Sequence, residues 1–147
     1  MISLFPFLLM AALPSKHGEQ LAVVSCASEM NDKLTMSNED LVASKYRLEV
    51  VYVGSQNRLV EVERTILQRD EIVLTSLIPL TDDDFILVVD WSNFDPNSND
   101  KIRLPRLSCE LATAYGVKFH GWQFFSGNIL KAGSFSVLPK ATNAQTH

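Results

Sequence analysis

Acidic side chains all but vanish from the last third of this 147-residue chain, where Glu110 is the single carboxylate beyond Asp100. Residues 101–147 set six Lys or Arg against it, a balance of +5, while residues 1–100 hold 16 carboxylates against 7 cations, a balance of −9. So lopsided a chain meets an anionic partner with its basic end, or folds that end against its own acidic portion. Cysteine is nearly absent as well: Cys26 and Cys109 stand alone and permit at most one disulfide. No apolar run reaches the roughly 20 residues that cross a bilayer, and there is no internal repeat or low-complexity tract. Apolar residues make up 46% and charged residues 20%, which argues against disorder and for one folded domain.

The longest apolar stretch is Met1–Leu13, MISLFPFLLMAAL, uniformly apolar apart from Ser3. It has the length of a signal-peptide core, with small and polar residues around Ala11, Ala12 and Ser15. No Lys or Arg precedes it, and Pro6 interrupts it. Residues 1–15 are therefore read as a signal peptide or as a buried N-terminal segment, residues 16–140 as a single domain and residues 141–147 as a frayed tail. A lipoprotein box at Val23-Val24-Ser25-Cys26 fails, because Lys16, His17, Gly18 and Glu19 fall where its apolar segment belongs.

Phe85–Trp91, FILVVDW, has six apolar residues of seven and reads as the central strand, covered on both faces. Before it, Leu21–Ala27 reads as a strand or a buried turn of helix, Ser28–Thr35 as loop, and Ser37-Asn38-Glu39-Asp40 as the cap of a short helix. Tyr46–Val53, Arg58–Leu67, Glu71–Leu80 and Phe85–Trp91, joined by short polar turns, read as a four-strand meander. In Arg58–Leu67, Val60, Val62 and Ile66 alternate with Glu61, Glu63 and Thr65. Leu104–Gly116 reads as the main helix, with Pro105 in its first turn, Gly116 as its stop and Leu104, Leu107, Leu111 and Tyr115 on one face. A C-terminal hairpin follows. Its expected loop is Ser126-Gly127-Asn128, pairing Phe125 with Ile129 and Phe119 with Phe135. The fold class is thus α+β, an antiparallel sheet of five to seven strands with one main helix; a β-sandwich or partly open barrel with a helix at one end is the alternative.

The chemistry-bearing residues form no complete catalytic set. In an oxidising compartment Cys26 and Cys109 would pair; in a reducing one they would be small core residues. Cys109 with His120 could form a nucleophile and base, although no motif surrounds either. Asp95–Asp100 alternates oxygen ligands as a calcium loop does, but Asp100 stands where Gly is needed and Arg106 where the bidentate Glu belongs. Asp90 ends an apolar strand and would need partner carboxylates for metal chemistry. No cofactor or metal is expected.

Lys118, His120, Trp122 and Phe124 share one face of the hairpin and interleave cations with aromatics, a pattern suited to anchoring a protein or stacking bases. The same pattern arises if Trp122 and Phe124 are covered by the preceding helix. The sequence thus points to a small exported, non-enzymatic protein-binding domain, periplasmic or secreted, of inhibitor, immunity or envelope-assembly type. The alternatives are an intracellular nucleic-acid-binding module using the same face, and a cysteine-dependent hydrolase; without export the location is cytoplasmic.

Overall fold

The computed structural model describes residues 18, 20–34, 46–71, 73–95 and 98–135. Three helices and five strands are built from them: helix α1 (residues 20–34), β1 (Tyr46–Gly54), α2 (Gln56–Leu67), β2 (Val73–Pro79), β3 (Phe85–Phe94), α3 (Asp100–Tyr115), β4 (Lys118–Ser126) and β5 (Ile129–Phe135).

β1 has the alternation a half-buried strand needs. Tyr46, Leu48, Val50 and Tyr52 are buried in the main core, and Val51 and Val53 stand outside it. On β3 the core side is taken by Leu87, Val89 and Trp91, and Ile86 and Val88 alternate with them. All three helices send apolar residues into that same core: Val23, Met30 and Leu34 from α1, Leu59, Val62 and Ile66 from α2, Leu104 and Leu111 from α3. The molecule is a helical layer on one face of a sheet.

The sheet is open and fully antiparallel, in the order β2-β3-β1-β4-β5. It is an α+β fold and not a barrel. β1 and β2 therefore run parallel with β3 between them, and β3 and β4 run parallel with β1 between them. This interlocked pair of split β-α-β units is the ferredoxin-like topology, here with α1 in front and β5 added behind. The expected meander is corrected. α2 replaces its second strand, so β1 pairs with β3 and β4, neither of them its neighbour in sequence. β1, not Phe85–Trp91, is the central strand.

Arg58–Leu67 is helical because its buried set is Leu59, Val62 and Ile66, a spacing of three and four that only a helix places on one side. Its β-branched residues, Val60, Val62, Thr65 and Ile66, imitate a strand. α1 likewise runs through the expected loop at Ser28; Val23, Cys26, Ala27, Met30 and Leu34 face inward, while exposed Leu21 and Val24 blur the period. The helix expected after Ser37 and the tail from Ala141 lie outside the described residues, as do residues 1–15.

α3 starts at Asp100, earlier than the sequence suggests, so Pro105 lies inside it and deprives the Lys101 carbonyl of its helical donor. Asp100 secures this end by accepting from the Asp95 N–H at 3.1 Å and from Arg103 at 2.8 Å. At the other end Gly116 is left-handed, with φ of 65°. The Val117 N–H donates to the Ala112 carbonyl and the Gly116 N–H to that of Thr113, which closes the helix in a Schellman motif.

Candidate functional site

The C-terminal hairpin is where the sequence placed a binding surface, and its two sides differ. β4 is an interior strand, so its alternate residues must be buried on the helix side. Trp122 lies opposite Val50 and Phe124 opposite Leu48, at 2% and 0% exposure. Phe124 stacks on Tyr46 at 5.6 Å and meets Phe94 edge-on at 5.5 Å. These aromatics are core, so the exposed cation–aromatic face expected at Lys118, His120, Trp122 and Phe124 is not a surface. Of the four, Lys118 alone is exposed.

His120 owes its position to a bulge. Gly121 faces Val51 and Phe119 faces Tyr52, so His120 is the extra residue on β4. It is 6% exposed, its ring centroid lies 5.5 Å from that of Phe135, and its buried Nδ1 has no hydrogen-bond partner. Burial, with Lys118 nearby, lowers its pKa and favours the neutral imidazole. A cavity of about 200 Å³ adjoins it, bounded by Glu29 and Met30 of α1 and by Trp122 and Ser134.

Cys26 and Cys109 form a disulfide between α1 and α3, with Cα atoms 6.2 Å apart. Cys109 therefore offers no thiol, which removes the nucleophile of the hydrolase reading. The disulfide was legible as a pairing of the two cysteines.

The acidic candidates are also engaged. Asp90 accepts from Arg47 at 2.8 Å, and the Arg47 guanidinium lies 4.2 Å from the Phe125 ring centroid. Both Asp100 oxygens are taken, as described above. Among the described residues no group of three or more His, Cys, Asp or Glu could hold a metal ion, and no helix is long and apolar enough to cross a membrane.

The other side of the hairpin is the part the sequence reading missed. The turn has two residues, Gly127 and Asn128, so Ser126 faces Ile129 and Phe125 faces Leu130. Gly127 has a φ of 60°, the positive value that primed hairpin turns require. A bulge at Lys131 then pairs Phe124 with Ala132 and Gly121 with Phe135. The expected register is thus off by one residue at the turn and by two beyond the bulge. Two residues restore the side-chain face, so Trp122 and Phe124 still share a side with Ser134 and Ala132.

β5 is an edge strand, and Ile129, Leu130 and Phe135 are 65%, 53% and 44% exposed. A groove of about 340 Å³ runs along it between Leu130 and Phe135, past Gly133 and Gln123. Gly133 leaves it without a side-chain wall; a Cβ there would come within 2.9 Å of the Trp122 carbonyl oxygen. Lys118 and Lys131 are the formal charges of β4 and β5, and neither strand holds a carboxylate. No family model, curated protein or solved structure matches the chain.

Proposed function

We propose that this chain is a small exported, non-enzymatic domain that holds another protein through its C-terminal hairpin, in the periplasm or outside the cell. The observation that carries this reading is the division of labour within the hairpin. β4 is anchored in the core by Trp122 and Phe124, so β5 is presented on a rigid base with Ile129, Leu130 and Phe135 facing solvent. Rigid apolar groups beside a cation suit the centre of a protein interface. The Cys26–Cys109 disulfide fits an oxidising compartment. Base stacking on the face of Lys118, His120, Trp122 and Phe124, the alternative reading, would need Trp122 and Phe124, which are buried in the core.

Two measurements test it. The intact mass of protein expressed from the full reading frame, taken without reductant, should be short of residues 1–15 or thereabouts and two hydrogens below the reduced mass. A full-length mass with two free thiols would remove the export. A photo-crosslinking amino acid at Leu130 or Phe135 should capture one and the same protein in cells, and the same group at Ile102 on α3 should not. Equal capture from α3 would remove the hairpin from the function.

A further inference from the structure

A protein that exposes a strand edge can bind by extending its sheet, and β5 has the features for this. We infer that the hairpin takes an extended, acidic segment of its partner as a sixth strand beside Ala132–Phe135; this rests on the protein-binding reading above and specifies its mode and chemistry. Three observations converge on the segment.

The first is backbone supply. β5 ends the sheet order, so alternate residues turn their N–H and C=O groups away from β4, where no described strand meets them. The bulge at Lys131 disrupts the ladder near the turn and leaves Ala132–Phe135 as the regular stretch on which a new strand can register. The opposite edge, β2, ends in Pro79, which has no N–H to donate.

The second is shape. An added strand projects alternate side chains over its neighbour, and specificity comes from the pockets they find. Gly133 provides a gap of that kind between the exposed side chains of Leu130 and Phe135, above Gln123. An apolar side chain of the incoming strand fits there.

The third is charge. Lys131 borders the groove and no carboxylate lies on β4 or β5. Glu29 of α1, which shares a cavity with Ser134 and Phe135, and Glu49 of β1, which lies opposite Gln123, are each paired with a cation, Lys33 at 3.7 Å and Arg47 at 3.6 Å. A segment alternating apolar and acidic residues would set its apolar side chains in the groove and a carboxylate near Lys131. A basic segment of the same pattern would be repelled.

The test uses the full, disulfide-bonded chain and a fluorescein-labelled octapeptide alternating Val and Glu, with one central Phe, kept below its self-association concentration. Fluorescence anisotropy should show it binding at least about tenfold tighter than its Lys-for-Glu counterpart. Lys131→Glu, at an exposed position, should erase or reverse that preference. N-methylation of alternate peptide amides should abolish binding, and hydrogen exchange should slow at Ala132–Phe135. Equal affinity for the two peptides, no binding, binding that survives N-methylation, or protection on β2 would each overturn strand addition. Capture by the crosslinker at Leu130 with no peptide uptake would retire this mode alone. Loss of both would retire the protein-binding reading with it.

Discussion

Trp122 shows how far a single residue can mislead when read without its neighbours. Its place beside His120 and Phe124 suits an interface anchor, but at 2% exposure it is core. Trp122→Ala should cost about 3–5 kcal/mol of stability, measured by chemical denaturation. A loss below about 1 kcal/mol would mean that the indole is not packed as described. His120 yields a pH prediction. Around it stand Lys118 on β4, uncharged Phe135 on β5 and Glu29 of α1 across the cavity. Its folded pKa lies below the ordinary value of 6.5, so the unfolded chain takes up the proton first as pH falls. Stability is therefore whole above that value and declines as pH drops through it. Melting temperature should fall between about pH 7.5 and pH 5.5, and His120→Gln should flatten that fall. An unchanged profile in His120→Gln would place the titration elsewhere.

At the scale of elements, period decides what composition cannot. Phe85–Trp91 was recognisable as a strand from its apolar run alone, but a run without alternation does not say which side is wet. Its two faces differ: Val89 is fully buried under the helices, whereas Val88 is half-buried on the opposite side. Val89→Asp should abolish cooperative unfolding, because it would bury an unpaired charge. Val88→Asp should leave a cooperative transition, weakened by about 1–3 kcal/mol. Equal damage from the two, followed by circular dichroism, would contradict the one-sided core. α2 carries the same lesson in reverse. Val60 and Val62 match a strand over a few residues, and the helical set Leu59, Val62 and Ile66 emerges over the full twelve. Propensity pointed to β, and burial of the 3–4 stripe overrode it.

For the whole molecule, long-range ties add to the shared core in joining α1 to the rest of the fold. The Cys26–Cys109 bond closes a loop spanning 83 residues. Loop entropy gives it about 4–5 kcal/mol of stabilisation. Cys26→Ser with Cys109→Ser should lower stability by that order, and hydrogen exchange in α1 should accelerate before exchange in β1. Uniform acceleration across both elements would mean that the bond does not act through α1. The tie across the other end is ionic: Arg103 of α3 holds Glu71 in front of β2 through two hydrogen bonds of 3.0 and 2.9 Å. Hydrogen bonds from Arg103, and less from Arg69, keep the Glu71 carboxyl below its usual range despite partial burial.

Local pattern along the chain was enough for the α+β class, β1, the β2–β3 and β4–β5 hairpins, the glycine stop of α3 and the availability of one cysteine pair. Each of these is local: alternation over eight residues, a turn between two apolar runs, a left-handed glycine. The strand order, the insertion of α2 between β1 and β2, and the burial that lowers the His120 pKa come from tertiary structure. So was the exchange of inner and outer sides on the hairpin. Whether Trp122 or Leu130 meets water depends on which strand lies next to β4 and which face the helices cover. Both are set by contacts between residues far apart in the chain, and side-chain pattern within the hairpin fits either side.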